Sequence, residues 1–268
     1  MKAELIITHL GGAHFDEVAA ISLILAVHTD TEFRVVRREA AEAELDSPDV
    51  WVVDTGRRHE PEMLNFDHHQ DTDCPASFVL VAEYLGLLET MSIMPWWHFK
   101  DSVDRIGPVQ SSIKYHAGDD LVNRNPVEIW LTAQFASDPE AILPLLKTFG
   151  SGLIENARML KRQIDFWKTS TRLLIAGVPA MIGETTETAG LEEFRRLDEN
   201  SPDIVISLDR DGKGWRLFRF DGAPVDFSLL SDRPEILFAH KNGFMAKTRE
   251  NMAMDDLISL VGEAVTSS

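Results

Sequence analysis

The stretch Asn65-Phe66-Asp67-His68-His69-Gln70 places one carboxylate and two imidazoles in consecutive positions. Neighbouring side chains of an extended segment point to opposite faces, so Asp67, His68 and His69 cannot all bind one ion equally. We therefore expect a division of labour. One histidine would bind a metal ion, while its neighbours orient that ligand or contact a substrate.

Two further stretches carry ligand-type side chains where a predicted strand ends. The N-terminal stretch is a short apolar strand, a loop with two glycines and the start of an amphipathic helix, and its ligand-type residues are His9, His14, Asp16 and Glu17. The β-branched run Val50 to Val53 ends at Asp54, and Gly56 begins the loop that follows. In an open parallel sheet, the carboxyl edge of the strands is where sites assemble.

The chain resembles the DHH phosphoesterase superfamily, whose name is the triplet found here at 67–69. It is most similar to the family described as metal-dependent protein hydrolases, or as melanocyte-proliferating-gene-type nucleases. That family's Thr-His-x-Gly-x-x-His-x-Asp-Glu, Asp-x-Gly and Arg/Asn-Phe-Asp-His-His-Gln patterns match residues 8–17, 54–56 and 65–70. Two looser segments, 101–107 and 238–244, are similar as well, although the chain departs from the family pattern at 105–106 and 245–246.

This resemblance implies two metal ions that share a bridging carboxylate, for which Asp54 is the candidate. His9 and His14 would complete one shell with Asp54. The other ion would be bound by Asp16, His68 and Asp104, with Asp101 as a rival of Asp104. Imidazoles mixed with carboxylates favour Mn²⁺ and allow Mg²⁺, Co²⁺ or Fe²⁺, whereas structural zinc or an iron–sulfur cluster would need clustered cysteines.

Asp67 and His69 are the predicted catalytic residues. Asp67 would orient a neighbouring histidine or a backbone group, and His69 would donate a hydrogen bond to the phosphoryl oxygen. Between ions spaced about 3.5–4 Å apart, a bridging water becomes a hydroxide that attacks phosphorus in line. Glu17 is expected as an exposed first-turn glutamate, with a base beside the ligands as the alternative.

Substrate binding is predicted for the segment His240-Lys241-Asn242-Gly243, because glycine lets the backbone approach a ligand closely or turn left-handed. This loop would reach across from a second domain and bind phosphate opposite the metals. The alternative is an ordinary basic surface strand and turn over 233–249.

The composition predicts a folded, soluble, cytoplasmic protein. A chain of 268 residues with 44% hydrophobic content can bury one large or two modest cores. The single cysteine, Cys74, excludes an intrachain disulfide, and neither a signal peptide nor a membrane span is visible. With a net charge of −18, we do not expect broad, sequence-independent binding to duplex DNA. The oligomeric state is left open.

The hydrophobic patterns predict an α/β fold with a mostly parallel sheet flanked by helices over 1–150. A smaller α+β domain is expected over 151–268, joined to the first by a connecting helix. The predicted strands are 5–8, 33–36, 50–54, 172–176, 203–208 and 215–220, with a hairpin at Asp211-Gly212. The predicted helices are 16–28, 76–88, much of 96–168, and 251–265.

The leading hypothesis is a manganese-dependent hydrolase of phosphodiester bonds, which the resemblance extends to a 3′-to-5′ exonuclease or oligoribonuclease acting on single strands. An alternative keeps the metals but changes the substrate to a nucleotide, a cyclic dinucleotide or pyrophosphate. A third hypothesis is a non-catalytic metal-binding protein.

Overall fold

The computed structural model describes residues 3–117, 125–198 and 200–266. The chain divides into two compact units, Met1–Arg158 and Met159–Ser268. Within the described ranges, no helix is both long enough and apolar enough to cross a membrane.

A five-stranded sheet forms the centre of the first unit, with the strand order β2-β1-β3-β5-β4. Strands β1, β2, β3 and β5 run parallel, and β4 pairs antiparallel with β5. The mostly parallel sheet predicted from the sequence is therefore confirmed. The strands are β1 (Glu4–Thr8), β2 (Phe33–Arg37), β3 (Val50–Val53), β4 (His59–Glu60) and β5 (Asn65–Phe66).

Helices surround this sheet, and α1 is the most buried of them among the described residues. Positions Asp16 to Leu25 of α1 are all buried, so the prediction of an amphipathic helix is wrong. Helix α1 packs against β3 and against α3, α5 and α7, which leaves it no solvent face. The helices are α1 (Phe15–Val27), α2 (Glu42–Leu45), α3 (Ser77–Tyr84), α4 (Leu88–Met91), α5 (Trp97–Ile106), α6 (Pro108–Tyr115), α7 (Pro126–Ser137) and α8 (Leu143–Thr169), the last of which continues into the second unit.

The single helix predicted over 76–88 is two short helices, because the chain turns at Gly86. Gly86 adopts a φ of 68°, and the Leu87 N–H bonds back to the carbonyl of Ala82 at 2.8 Å, which closes the end of α3.

A six-stranded sheet forms the second unit, in the order β10-β11-β9-β8-β7-β6, and only β7 and β8 pair in parallel. The hairpin predicted at Asp211-Gly212 joins β8 and β9 and is confirmed. Strand β7 and helix α9 were not predicted from the sequence, and β10 and β11 lie where the alternative of a surface strand and turn over 233–249 was given. The elements are β6 (Thr171–Ile175), β7 (Val178–Gly183), α9 (Leu191–Leu197), β8 (Ile204–Leu208), β9 (Trp215–Arg219), β10 (Ile236–Ala239), β11 (Met245–Thr248) and α10 (Met254–Gly262).

Candidate metal centre

The carboxyl edge of the first sheet brings three of the sequence motifs side by side. Strands β1, β3 and β5 are parallel neighbours, and their register aligns the last residues Thr8, Val53 and Phe66. The residues that follow therefore leave the sheet in one row, and they are His9, Asp54 and Asp67.

Asp54 stands at a sharp turn where β3 ends. Its φ of 57° lies in the left-handed region, which aspartate tolerates better than most residues because its side chain is short and polar. Gly56 follows with a φ of 91°, and a Cβ there would lie 2.6 Å from Leu45 Cδ2, so the loop requires glycine. A non-glycine residue held in this region costs of order 1–3 kcal/mol, and such strain collects at functional sites. Here it holds a carboxylate that is 1% exposed.

The two carboxylate oxygens of Asp54 face different imidazoles. Oδ2 lies 3.4 Å from His9 Nε2, whereas Oδ1 lies 3.5 Å from His68 Nε2 and 3.6 Å from His69 Nδ1. Asp54 also belongs to every group of potential metal ligands found among the described residues, in which the ligand atoms lie within 4.8 Å of one another. These groups are His9–His14–Asp54, Asp54–His68–His69 and Asp16–Asp54–His68–Asp104.

Asp16 and Asp104 approach His68 from two helices. Asp104 Oδ2, in the last turn of α5, lies 2.7 Å from His68 Nε2, and Asp16 Oδ2, in the first turn of α1, lies 3.7 Å from it. Asp16 also accepts the backbone N–H groups of Ser77 at 3.0 Å and Phe78 at 2.6 Å. These donors at the start of α3 lack intrahelical partners, so they fix the buried Asp16 carboxylate beside the cluster.

Asp101, the rival of Asp104, is engaged elsewhere. Its carboxylate accepts the Ala76 N–H at 2.9 Å and contacts the Arg105 guanidinium at 3.3 Å. Asp101 belongs to none of the ligand groups found among the described residues, whereas Asp104 lies in one of them.

Glu17 is fully buried, so the expectation of an exposed glutamate is wrong. Oε2 accepts the Thr8 hydroxyl at 2.6 Å, and Oε1 accepts the His14 N–H at 3.1 Å and the Arg37 guanidinium at 3.2 Å. Oε1 also lies 3.1 Å from His9 Nε2. A glutamate at the third helical position reaches back to the helix start, and its spacing from His14 was the sequence signal for this role.

Asp67 ties the Asp-His-His segment to the loop after Asp54. Its carboxylate accepts the Arg57 N–H at 2.6 Å, the His69 N–H at 3.0 Å and His69 Nδ1 at 2.7 Å. Burial alone would raise the pKa of Asp67, but these hydrogen bonds hold it below its ordinary value. An ionised Asp67 therefore fixes the orientation of the His69 ring, which is 55% exposed.

Two of the three histidines that face Asp54, His9 and His68, bind protons tightly in the metal-free cluster. The contact with Glu17 raises the pKa of His9 to about 9 despite partial burial. Burial lowers the pKa of His68, but the carboxylates of Asp104, Asp54 and Asp16 outweigh it and raise that pKa to about 11.

The pKa values of two buried carboxyl groups, Asp16 and Asp54, are raised as well. Burial, followed by the charges of Asp54 and Asp104, raises the pKa of Asp16 well above its ordinary value. Burial likewise raises the pKa of Asp54, although the nearby imidazole of His68 opposes it. The cluster therefore carries more negative charge than its own residues neutralise, and it takes up protons in the absence of other cations.

Three buried polar atoms of the cluster mark where a cation would bind. His9 Nε2, Asp54 Oδ2 and His68 Nε2 are inaccessible to solvent and have no aligned hydrogen-bond partner among the described residues. Orphaned polar atoms of this kind are rare in folded proteins and need an explanation. Imidazole nitrogens and carboxylate oxygens are ligands for Mn²⁺ and related divalent ions, so the residues present fit such ions.

Two cavities of the first unit border these ligands. One, of about 400 Å³, includes His14, Asp16 and Asp104 in its wall, together with Lys100, whose ammonium is paired with Glu128 at 2.6 Å. The other, of about 250 Å³, is lined by His9, His14, Glu39, Asp54, Thr55, Gly56, Arg57, Asp67 and His69.

Arg57 is a residue of this second cavity that the sequence prediction missed. It is exposed and has a φ of 54°, and its guanidinium forms no ion pair among the described residues. The adjacent Arg58 differs, because it pairs with Asp46 at 2.7 Å and also with Glu42. The two neighbours thus provide one free and one neutralised guanidinium.

The predicted substrate segment forms the turn between β10 and β11 in the second unit. The His240 N–H donates to Met245 O at 2.9 Å, and the Gly243 N–H donates to His240 O at 2.8 Å. Gly243 has a φ of 66°, and a Cβ there would lie 1.9 Å from Asp226 Oδ1, so packing within the unit already requires this glycine. A substrate role for His240, Lys241 and Asn242 stays a prediction.

The family model MYG1_exonuc, described as "Uncharacterised protein family (UPF0160)", matches residues 5–76. This range includes the three specific motifs at 8–17, 54–56 and 65–70, so the resemblance drawn from those motifs is confirmed there. No curated protein matches the chain significantly.

Solved structures show distant likeness. A crystal structure of exonuclease RecJ bound to manganese is 12% identical, with 97% of this chain and 89% of that chain covered and a TM-score of 0.31. The pGpG-specific phosphodiesterase PggH from Vibrio cholerae is 10% identical, with coverage of 98% and 99% and a TM-score of 0.28. An exopolyphosphatase-related protein from Bacteroides fragilis is also 10% identical, with coverage of 97% and 90% and a TM-score of 0.28. TM-scores this low transfer neither a fold nor an activity to the chain.

Proposed function

We propose that this chain, which resembles the DHH phosphoesterases in its first motifs, is a divalent-metal-dependent hydrolase of phosphodiester bonds. The observation that carries the proposal is the placement of Asp54, whose two oxygens face imidazoles on opposite sides of one carboxylate. His9 and His14 would bind one ion with Asp54, and Asp16, His68 and Asp104 would bind the other. Bound there, the ions would lower the pKa of a shared water and neutralise charge on the phosphoryl oxygens.

Asp67 and His69 act beside the ligands in this proposal. His69 Nδ1 is 2.7 Å from Asp67, which favours a hydrogen bond over metal ligation for this atom. If Nδ1 donates to Asp67, the ring can also donate from Nε2 only when it carries both protons. The exposed ring then offers one charged donor to a phosphoryl oxygen.

Arg57 supplies a second contact to the substrate. Arg57 lines the cavity that His9, His14 and Asp54 border, and its guanidinium has no carboxylate partner among the described residues. Guanidinium groups bind phosphate oxygens through two parallel hydrogen bonds, which fixes orientation as well as charge. We assign Arg57 to the phosphate group next to the scissile bond.

The leading substrate is a short single-stranded oligonucleotide, shortened from its 3′ end as the resemblance implies. The second candidate is a small phosphate compound, which is favoured by the limited cavity volumes of about 250 and 400 Å³. Ligand pockets for small molecules span about 300–1,000 Å³.

The deciding experiment assays the purified full chain, reconstituted with Mn²⁺ or Mg²⁺. Several substrates are tested in parallel. These are a 5′-labelled short RNA, the same sequence as DNA, bis-p-nitrophenyl phosphate and pyrophosphate. A metal-dependent ladder that shortens the RNA one nucleotide at a time from its 3′ end supports the leading substrate. Turnover of the small compounds alone supports the second candidate. Two bound ions without turnover would show a metal-binding protein instead.

Adjacent arginines provide a matched control for the substrate contact. Arg57→Gly removes the guanidinium but suits the left-handed backbone, so the fold should keep its stability. We expect KM to rise about tenfold with metal content unchanged, and Arg57→Lys to recover part of the loss. Arg58→Gln removes a guanidinium that is already paired and should leave KM unchanged. Equal effects of Arg57→Gly and Arg58→Gln would exclude Arg57 from the site.

A further inference from the structure

The second unit contains a small cavity whose charged residues are all cations. It has a volume of about 160 Å³ and is lined by Thr186, Leu208, Arg210, Arg216, Met245 and Lys247. The chain as a whole carries a net charge of −18. Because acidic residues outnumber basic ones in the chain, a cavity whose charged residues are all basic is unexpected from the composition.

The sheet register puts two of these cations directly opposite each other. Arg216 on β9 pairs with Lys247 on the antiparallel strand β11. Like charges at directly opposed positions destabilise a sheet, whereas opposite charges stabilise it. Local conflicts of this kind are expected where a function requires them.

No carboxylate resolves the conflict. Arg210, Arg216 and Lys247 form no ion pair with any acidic side chain in the part of the chain that the structure describes. Asp209 is next to Arg210 in sequence, but its Oδ1 accepts the N–H groups of Asp211 and Lys213, both at 3.1 Å. The Asp209 carboxylate therefore stabilises the β8–β9 turn and does not pair with Arg210.

Arg216 is held in place with spare donor capacity. Its Nη1 donates to Thr188 Oγ1 at 2.9 Å, while its Nε is buried and has no hydrogen-bond partner among the described residues. Burial, and then the charge of Arg210, lower the pKa of Arg216. The guanidinium of Arg216 is thus half-buried and lies near another positive charge. A bound anion would offset both the cost of burial and the repulsion.

We propose that Arg210, Arg216 and Lys247 form a phosphate-binding site in the second unit. A cavity of 160 Å³ is smaller than the about 300–1,000 Å³ typical of ligand pockets, so it fits one phosphate group and not a whole nucleotide. That group is either a free phosphate or one phosphate of a longer single strand. The site needs no metal, so it stands apart from the hydrolase proposed above.

The test uses the metal-free full chain carrying Asp54→Asn, so that binding is measured without turnover. Affinities for inorganic phosphate and for a labelled single-stranded oligonucleotide are compared in Arg216→Gln, Lys247→Gln and a charge-matched control, Arg196→Gln. Arg196 is exposed and paired with Glu193 at 2.8 Å. We expect about tenfold weaker oligonucleotide binding for each cavity variant at low salt, and a log–log salt slope smaller by about 0.7.

The same titration distinguishes inorganic phosphate from a phosphate group of an oligonucleotide as the ligand. If the oligonucleotide binds and inorganic phosphate displaces it, the site takes one phosphate of a strand. If inorganic phosphate binds and the oligonucleotide does not, the site takes a small free anion. If both cavity variants bind like Arg196→Gln, the proposal is overturned. Lys247→Gln also checks folding, because removing the opposed charge should raise the thermal midpoint of the free protein by about 1–3 °C.

Discussion

The first unit gathers negative charge at the carboxyl ends of parallel strands, and the second gathers positive charge on the faces of antiparallel strands. In the first, Asp16 and Asp54 are 2% and 1% exposed and share the ligand cluster with Asp104. In the second, Arg216 and Lys247 oppose each other half-exposed. In each arrangement like charges lie close together, and we expect a ligand of opposite charge to stabilise it.

Burial makes the difference between the two regions. Electrostatic repulsion scales inversely with the local dielectric, so it is strongest between the buried carboxylates, where protons accumulate in place of a cation. Arg216 and Lys247 of the second unit are half-exposed, so water screens the repulsion between them. We therefore expect metal to control the stability of the first unit, while an anion affects the second only modestly.

The largest expected effect is that of Asp54→Asn. Wild-type protein should bind close to two Mn²⁺ per chain, and the variant should lose most of both because one carboxylate serves both ligand sets. Elemental analysis of the purified chains measures this. Asp101→Asn is the control, since Asp101 contacts Ala76 and Arg105 and lies outside the cluster. A single tightly held zinc that Asp54→Asn leaves in place would overturn the two-ion site.

The next effect divides His68 from His69. His68 is buried among carboxylates, so His68→Ala should weaken metal binding. His69 is exposed and held by Asp67, so His69→Ala should keep the metal content and slow turnover by about 10² to 10³. Equal metal loss in both variants would contradict this division and make His69 a ligand.

The pH dependence of stability tests how strongly burial affects the ligand cluster of the first unit. Between pH 6.5 and 9, folded metal-free protein keeps protons on His9 and His68, whose pKa values rise to about 9 and about 11, while the unfolded chain releases them. Stability therefore falls as pH rises through this window, and the raised pKa values of Asp16 and Asp54 act in the same direction.

Thermal unfolding in a chelating buffer should show a midpoint lower by about 5 °C at pH 8.5 than at pH 6.5. Saturating Mn²⁺ should remove or reverse that trend, because metal displaces the same protons. His68→Gln should flatten the slope, whereas His28→Gln, outside the cluster, should preserve it. A metal-free midpoint that rises with pH would refute the assignment.

The smallest effect belongs to the second unit. Lys241→Ala should raise KM for an oligonucleotide by about two- to fivefold, and less at high salt, with metal content unchanged. A silent substitution would mean that the turn between β10 and β11 has only the structural role that Gly243 and Asp226 already show.

Much of the first unit could be predicted because its signals are local. Apolar runs predicted strands over 5–8 and 50–54, and parallel pairing placed His9 and Asp54 at one edge. The two-residue strand β5, which was not predicted, adds Asp67 to that edge. The fate of Glu17 could not be predicted the same way. Its burial depends on Arg37, which only the pairing of β1 with β2 brings beside it.

The second unit was less predictable because antiparallel partners come from distant segments. Strands β10 and β11 are only four residues long each, and an apolar run as short as Ile236–Ala239 does not by itself distinguish a strand from a segment of helix. The opposition of Arg216 and Lys247 exists only in the register of β9 with β11.

The sequence by itself determined the chemical types of the site: imidazoles and carboxylates at strand ends, in a chain with one cysteine and a net charge of −18. Tertiary structure decided which of them meet. It placed Asp104 rather than Asp101 beside His68 and turned the two oxygens of Asp54 toward different imidazoles. It also left Arg57 without an ion pair among the described residues, next to Arg58, which pairs with Asp46. The physical reason is that spacing along the chain fixes periodicity and local turns, whereas distances between side chains depend on strand register and helix packing.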